Sequence, residues 1–441
     1  MVAAAVAPAD GGVAPSVRMP RGRAVRRGSG TRRPRLPAGL RGLPPEVGVL
    51  VAVAFSVAVG FGIVAPAIPV FARSFGVSRT AAGGVISAFA LLRFVSALGV
   101  GRLVDRFGER LVLATGIGIV AGSSALAGLA ASYRQLLVLR GVGGIGSAMF
   151  SVSAMSLLLR VVTPEQRGRA SGLFSGGFLL GGVTGPAFGG IVTSYSIRAP
   201  FFLYAGTLTV AGGIGLYALR HTRMASRAGG AGGAPQRVGL ATALRRPAYR
   251  AALAANLADS WAVLGVRSAL VPLFVVDVLR VGIVWVGVGF VVVAAVNAAV
   301  LLPAGRLADT RGRRPVLIAG CLTSGLGVAM LALPASLPGY LLAMAVFGVG
   351  SGLLDVAPAA VVGDVVTGRG GTVVAAYQMS GDAGQVVGPL VAGRLADSLS
   401  YGAAFGATSG VLVLAGVLAY AAPETRLGTA DSEGAAARVG S

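Results

Sequence analysis

Twelve long runs of apolar residues divide this chain and restrict it to folds that cross a membrane. A spanning helix needs about 20 mostly apolar residues. Only 12% of the residues are charged, whereas soluble domains carry about 25%. The sequence therefore predicts an all-α membrane protein and excludes a soluble enzyme. The predicted spans are 47–71, 81–104, 111–131, 135–159, 169–193, 199–219, 249–276, 283–305, 315–333, 338–363, 371–393 and 401–421.

The spacing of these runs divides the chain into two halves. We predict six helices in 47–219 and six in 249–422, joined by a flexible cytoplasmic linker at 220–248 that is rich in Gly, Ala and Arg. Residues 1–46 and 423–441 are predicted to be disordered cytoplasmic tails.

The formal net charge of +23 comes from arginine, because the chain has no lysine. Nine arginines lie in residues 1–46 among Pro, Gly and Ala, with no aromatic residue between them. This pattern favours contact with anionic lipid on the cytoplasmic face over binding of nucleic acid. The stretch has no apolar run of its own, so it does not resemble a signal peptide.

Single residues exclude further classes. One cysteine, Cys321, and one histidine, His221, exclude an intramolecular disulfide and a Cys- or His-cluster metal centre. The absence of lysine excludes the Gly-x4-Gly-Lys-Ser/Thr loop of an ATP-driven pump. No metal and no cofactor are expected.

Short motifs recur in the two halves, at offsets of 204 and 203 residues. Parallel halves of this kind usually rock about a binding site near the bilayer midplane. The recurring pairs are Gly101-Arg-Leu-Val-Asp105-Arg-Phe-Gly108 with Gly305-Arg-Leu-Ala-Asp309-Thr-Arg-Gly312, and Gly185-Pro186 with Gly388-Pro389.

The first of these motifs resembles the signature of the major facilitator superfamily. The resemblance covers 47–422 and implies twelve helices, a central cavity and alternating access by rocking of the halves. Three further motifs resemble those of the twelve-helix drug/proton antiporters, which implies export driven by proton entry. They are Gly60-x5-Pro66-x2-Pro69 in the first span, Leu136-x3-Arg140-x3-Gly144-x-Gly146 in the fourth, and Gly177-x3-Gly181-x3-Gly185-Pro186-x2-Gly189-Gly190 in the fifth.

The fifth-span motif has a direct physical reading. Glycine at every fourth position makes a flat stripe on one helix face, which a partner backbone can approach closely. Pro186 removes a backbone hydrogen bond and bends the helix. We expect this close, bent pair to seal one side of the cavity; ordinary small-residue packing is the alternative.

The first signature copy departs from the family pattern. The family normally has arginine after the last glycine and often an acid at the end of the fourth span, but this chain has Glu109 and Arg160. The second half has Arg313 and Asp364 at the same offset of 204. We predict a charge-reversed ion pair, Glu109–Arg160, as part of a conformational latch in the cytoplasmic loops.

Charges inside the spans are candidate functional residues, because a charge at the bilayer centre costs roughly 2.5–3.5 kcal/mol on insertion scales. A carboxyl group there can load and release a proton as access alternates. Asp355 and Asp382 are ranked above Asp259, which lies about 12 Å from Arg267 by helical rise. Arg140 is a further coupling candidate. The cavity-lining candidates are Arg93, Arg267, Asn256 and Asn297.

The acids lie in the second half, and Arg93 and Arg140 in the first. The sequence thus predicts a cavity with acids on one wall and arginines on the other. For each charged residue, a purely structural ion pair or hydrogen bond is the alternative.

These features together predict a proton-coupled exporter of hydrophobic or amphipathic small molecules in the bacterial cell membrane, acting as a monomer. A metabolite or sugar transporter of the same superfamily is the alternative, although an importer would not need the fifth-span motif. A receptor or assembly factor would not need three buried acids.

The distribution of arginine predicts the topology. With a cytoplasmic N-terminus, 29 of the 38 arginines fall in cytoplasmic segments and six outside, in agreement with the positive-inside rule. A reporter active only in the cytoplasm should therefore work when fused after Pro423 or inserted in the linker at 220–248. Activity there of a reporter that works only outside the cell would contradict twelve spans.

Overall fold

The computed structural model describes residues 43–163, 166–218, 240–333, 336–365 and 371–425. These residues form helices and no strand. The helices of the first half are α1 (Pro45–Val64), α2 (Ala67–Arg73), α3 (Arg79–Phe107), α4 (Glu109–Gly128), α5 (Tyr133–Val161), α6 (Arg167–Tyr195) and α7 (Ala199–Ala218).

The second half repeats this arrangement after a short helix, α8 (Leu240–Leu244). The remaining elements are α9 (Pro247–Ser260), a π-helical turn (Trp261–Arg267), α10 (Val271–Asp277), α11 (Val284–Arg311), α12 (Arg313–Met330), α13 (Leu337–Leu354), α14 (Ala357–Val365), α15 (Gly371–Ser398) and α16 (Tyr401–Tyr420).

The described residues, α8 apart, form twelve long helical rods when helices separated only by a short interruption are counted as one, and three of the twelve rods are interrupted. The first rod breaks into α1 and α2 at Pro66, the seventh contains the π-helical turn, and the tenth breaks at Asp355. Ten rods of the described chain are long and apolar enough to cross a membrane. The other two are α12, which begins with two arginines, and α15, which carries Asp382, Arg394 and Asp397.

Both signature copies lie largely on helices, which corrects their expected placement in loops. Helix α3 continues to Phe107, and its 29 residues span about 43 Å, longer than the roughly 30 Å hydrocarbon core. A single glycine, Gly108, then turns the chain into α4 with φ of 82°, and Gly312 does the same after α11 with φ of 109°. Residues with a side chain rarely adopt this backbone conformation, so glycine is required at both turns.

The fifth-span stripe is the contact surface of α6 with α1. A methyl group added at Gly181 would lie 2.6 Å from the Phe55 carbonyl oxygen, and one at Gly185 would lie 2.8 Å from the Gly62 Cα. Gly177 and Gly189 face the same helix. The predicted close approach of two backbones is therefore present, and its partner is the first span.

The last glycine of the motif points to the other half. A methyl group at Gly190 would lie 3.0 Å from the Cα of Gly287 on α11. The first-span motif packs within the first half, where Gly60 faces Tyr204 and Thr207 of α7. Pro66 and Pro69 lie at the junction of α1 and α2 and in α2.

Ion pairs connect helix ends at the signature turns. Glu109, which is 4% exposed, forms an ion pair with Arg160, the last-turn arginine of α5. In the second half, the Arg313 Nε lies 3.2 Å from the Asp364 carboxylate and its Nη1 lies 2.8 Å from the Asp309 carboxylate. The charge reversal predicted from the sequence thus gives two equivalent pairs. Their action as a latch remains a prediction.

The segments outside the two halves lie mostly beyond the described residues. Residues 1–42 of the predicted N-terminal tail, residues 220–239 of the predicted linker and residues 426–441 of the predicted C-terminal tail lie outside the described part of the chain. The described part of the linker includes α8. In the described part of the C-terminal tail, the Glu424 carboxylate accepts hydrogen bonds from the backbone N–H groups of Arg313 (2.8 Å) and Arg314 (3.1 Å). The start of the C-terminal tail therefore caps α12.

The reversed pair can be tested by exchanging its charges. Glu109→Arg should place two cations together and destabilise the contact between α4 and α5 by on the order of 2 kcal/mol, less than for a fully buried pair because Arg160 is part-exposed. Adding Arg160→Glu should restore the attraction. The measurement is transport at equal expression, with melting temperature in detergent as the stability readout.

The matched control is Arg134→Glu, which changes an exposed arginine of α5 at the other end of the helix. If the double variant is no better than either single variant, the pair has no role in stability or transport.

Candidate functional site

A central cavity of about 680 Å³ lies between the two halves. Aromatic rings form much of its wall, and serine and glutamine supply most of the neutral polar groups. Gly62 and Pro186 bring the close pair α1 and α6 to its edge. The aromatic lining residues are Phe61, Phe89, Phe150, Phe178, Tyr204 and Phe290, and the polar ones are Ser147, Ser151, Ser175, Ser268, Gln378 and Gln385.

Three arginines line this cavity, namely Arg93, Arg140 and Arg267. Two of them stack on aromatic rings. The Arg140 guanidinium carbon lies 4.7 Å from the centre of Phe89, and that of Arg267 lies 5.5 Å from the centre of Phe290. Cation–π contacts of this kind stabilise a cation away from bulk water.

The candidate acids do not line the cavity, which corrects the predicted acidic wall. Asp259 and Asp355 lie together beside it, where both interact electrostatically with Arg267. Asp355 accepts a hydrogen bond of 2.8 Å from the Asn297 amide. Asn297 therefore belongs to this carboxylate cluster and is not among the lining residues.

The backbone explains how the cluster forms. Asp259 lies near the end of α9, and Arg267 is the last residue of the π-helical turn that follows, an element that is rare and often found at functional sites. The straight helix assumed from the sequence is interrupted there; the two side chains form no direct ion pair, as predicted, and their charges interact at longer range. Asp355 lies at the break between α13 and α14. One buried oxygen of Asp259 and the buried Arg267 Nε have no hydrogen-bond partner among the described residues.

Asp382 lies apart from this cluster. It faces the first half, and its charge interacts with Arg93 of α3. The neighbouring stripe of Gly381, Gly384 and Gly388 packs on α9 and the π-helical turn within the second half. Asn256 donates to the Tyr377 carbonyl oxygen (2.8 Å) and to Ser380 (3.1 Å), so it joins α9 to α15 and is not among the lining residues.

An interaction between the halves was missed by the sequence analysis. The Asp397 carboxylate of α15 accepts hydrogen bonds from the backbone N–H groups of Arg79 (3.0 Å) and Thr80 (2.8 Å), and from the Thr80 hydroxyl (2.6 Å). The Arg79 Nε donates to the Tyr401 hydroxyl at 2.8 Å, and Asp277 accepts from the same hydroxyl at 2.7 Å. We call these residues the closing network.

The sequence held a signal for it. Gly393-Arg-Leu-Ala-Asp397 repeats the five residues that begin with Gly305 and end with Asp309. The two copies lie at opposite ends of the bundle, because α15 ends at Ser398 and α11 ends beside the latch pairs.

The halves meet at the end of the bundle that carries the closing network. There Ser87 of α3 donates to the Val386 carbonyl oxygen at 2.7 Å, and a methyl group at Gly83 would lie 2.6 Å from the Pro389 carbonyl oxygen. Toward the latch end they diverge. Leu91 and Leu98 share the helix face of Ser87 by their spacing, yet they are 45% and 67% exposed whereas Ser87 is 4% exposed.

This geometry suits the binding and passage of a small molecule. The cavity has the size and the apolar, sparsely polar lining of ligand sites in general. It is closed at one end by contacts between the halves, and a cluster of titratable groups within the membrane-spanning helices lies beside it. The described residues include no group of three or more potential metal ligands.

Solved structures share the fold. A bacterial homolog of the human lysosomal transporter Spinster, in an inward-facing and occupied conformation, matches with a TM-score of 0.72 at 17% identity, covering 85% of this chain and 95% of that one. A POT family transporter in complex with a thioalcohol-conjugated peptide matches with a TM-score of 0.70 at 12% identity, covering 87% and 97%.

Curated relatives align over parts of the chain. Multidrug resistance protein 1 of Bacillus subtilis (strain 168) is 29% identical over 161 residues, 36% of this chain and 41% of the relative. Quinolone resistance protein NorA of Staphylococcus aureus (strain MRSA252) is 27% identical over 156 residues, 35% and 40%. The synaptic vesicular amine transporter of Bos taurus is 27% identical over 310 residues, 68% and 58%. Each alignment spans less than two thirds of the relative.

The family assignment rests on most of the chain. Two overlapping segments, residues 50–302 and 268–439, match the Major Facilitator Superfamily. This agrees with the repeated signature, the twelve rods and the shared fold, and it makes the chain a multi-pass membrane transporter rather than an enzyme. The chain belongs to the Major Facilitator Superfamily.

Proposed function

We propose that this protein is a proton-coupled exporter of amphipathic small molecules that works by alternating access in the bacterial cell membrane. The observation that carries the proposal is the aromatic cavity with two carboxyl groups of the membrane-spanning helices, Asp259 and Asp355, beside it. The resistance proteins of Bacillus subtilis and Staphylococcus aureus to which the chain is similar support export.

The direction of opening follows from the predicted topology. With both termini cytoplasmic, the closing network faces the outside and the divergent latch end faces the cytoplasm. A substrate from the cytoplasm or the inner leaflet would then enter between α3 and α15. Rocking of the halves would break the closing network and open the cavity outward, and a monomer suffices for this cycle.

The signature glycines fit such a cycle. A methyl group added at Gly101 or at Gly305 would meet no atom within 4 Å in this conformation. Packing therefore does not explain why glycine stands there. We infer that helices of the opposite half approach these positions when the latch end closes, and that the two ion pairs, each within one half, hold the signature turns in place for that contact.

We propose Asp259 and Asp355 as the proton-binding residues. Asp382 is the less favoured candidate. Two carboxyl groups share the charge of one arginine, so one negative charge is left without a cationic partner, and a proton can neutralise it. Asn297 fixes the position of Asp355. Asp382 instead has Arg93 as its electrostatic partner across the gap between the halves, which suits a conformational role.

Replacing the carrier should uncouple transport from the pH gradient. Asp259→Asn and Asp355→Asn retain the side-chain shape but cannot cycle a proton, so gradient-driven efflux should fall to the level of empty liposomes while substrate binding persists. The measurement is efflux from proteoliposomes under an imposed pH gradient, compared with binding to the same preparation in detergent.

Asp382→Asn is the matched control, and it should remain dependent on the gradient. Normal, gradient-dependent efflux by both variants would exclude this cluster. Gradient-independent transport by the wild-type protein would contradict proton coupling altogether.

The closing network should set the balance between the two conformations. Asp397→Asn removes the charge from a side chain that accepts three hydrogen bonds. We expect this loss to weaken the contact between the halves by about 1–3 kcal/mol and to shift the protein toward the outward-open state. In a Cys321→Ala background, spin labels at the exposed positions Tyr195 and Leu399 lie at the ends of α6 and α15. Their distance distribution should gain a longer component.

Arg394→Gln is the control, because Arg394 is an exposed residue of α15 one turn before Asp397 and lies outside the closing network. An unchanged distance distribution in Asp397→Asn would show that the network does not hold the halves together.

A further inference from the structure

The charge of the cavity lining is one-sided. It includes three arginines, and no aspartate or glutamate occurs among the described lining residues. Six aromatic rings surround these cations. An organic cation entering the cavity would meet like charges within a medium of low dielectric constant, where repulsion is strong. The lining therefore favours a substrate of opposite charge.

Arg140 differs from the other two arginines in lacking an acidic partner. The Arg267 charge interacts with Asp259 and Asp355, and the Arg93 charge with Asp382. Among the described residues, the electrostatic partner of Arg140 is the neutral hydroxyl of Tyr204. Arg140 is only 2% exposed, and its Nε has no hydrogen-bond partner.

An unpaired buried guanidinium is costly for the protein. The ring of Phe89 compensates part of this cost, but aromatic contact does not replace the hydrogen bonds that a carboxylate would accept. Arg140 borders the cavity, so an anion bound there would be within reach of its guanidinium. A planar guanidinium binds a carboxylate through two parallel hydrogen bonds.

We propose that the substrates are aromatic anions whose carboxylate pairs with Arg140 while the ring packs among Phe89, Phe150 and Phe178. This rests on the proposed function, whose amphipathic substrate class it narrows. The cavity volume of about 680 Å³ is in the range of sites for drug-sized ligands. Arg140 thus holds the substrate, whereas Asp259 and Asp355 handle the proton.

Three probes that differ in charge on the same ring system test the proposal: 1-naphthoate, 1-naphthamide and 1-naphthylmethylammonium. Binding is measured by equilibrium dialysis with purified full-length protein in nanodiscs. Naphthoate should bind about ten- to a hundredfold more tightly than naphthamide, as expected for a hydrogen bond to a charged group, and the ammonium probe should bind weakest.

Arg140→Gln should remove the preference for naphthoate without improving naphthamide. Arg140→Lys, which retains the positive charge, should keep part of the preference and covers the case in which the glutamine variant fails to fold. Arg134→Gln, on the same helix but exposed, should leave all three affinities unchanged. Size-exclusion profiles establish that each variant is folded.

The proposal is overturned if naphthoate fails to bind, if it binds no better than naphthamide, if the ammonium probe binds best, or if Arg140→Gln keeps the preference. These outcomes leave proton-coupled export open. Conversely, naphthoate binding that depends on Arg140, without gradient-driven efflux in proteoliposomes, would support the substrate class and contradict the proposed function.

Discussion

In a bilayer, two helices gain little by burying apolar side chains against each other, because the lipid tails are equally apolar. Close backbone contact must supply the attraction instead, and glycine makes it possible. In this protein the stripe of α6 brings its backbone against α1, and Gly190 extends the contact to Gly287 in the other half. The same device recurs where Gly384 and Gly388 pack on α9 and the π-helical turn. The cavity wall is built on these contacts.

The charged side chains of this helix bundle differ in whether a partner of opposite charge lies nearby. Glu109 and Arg160 neutralise each other at the latch end, and the closing network does the same at the other end. Beside the cavity the balance is incomplete, since Asp259 and Asp355 share Arg267. Arg140 has a ring and a hydroxyl as neighbours and no acid among the described residues. Incomplete compensation is costly, and it concentrates where a proton or an anionic substrate could restore the balance.

Both ends of the bundle carry ion pairs and hydrogen bonds made by charged side chains. At one end these contacts join the two halves, and at the other end they lie within each half. Asp397 caps the first turn of α3 from the other half, so the contact spans the interface that must open during transport. The latch pairs instead join helices of one half each. Rocking of the halves would break the first kind of contact and preserve the second, so we expect charge changes at the two ends to affect transport differently.

The sequence by itself determined the all-helical membrane fold, the glycine stripe and the reversed pair Glu109–Arg160. These features depend on local patterns, such as apolar length and repeat offset, that survive any tertiary arrangement. Only the tertiary structure decided which charges meet. No direct ion pair joins Asp259 to Arg267, as the helical rise over eight residues predicted, but that rise could not show that Asp355, at the break between α13 and α14, lies within electrostatic range of both. Asn256 and Asn297 were expected to line the cavity and instead hold other polar groups. Arg79 and Asp397 are 318 residues apart, and neither neighbour pattern nor hydropathy specifies such a contact, because it depends on how the two halves are tilted against each other.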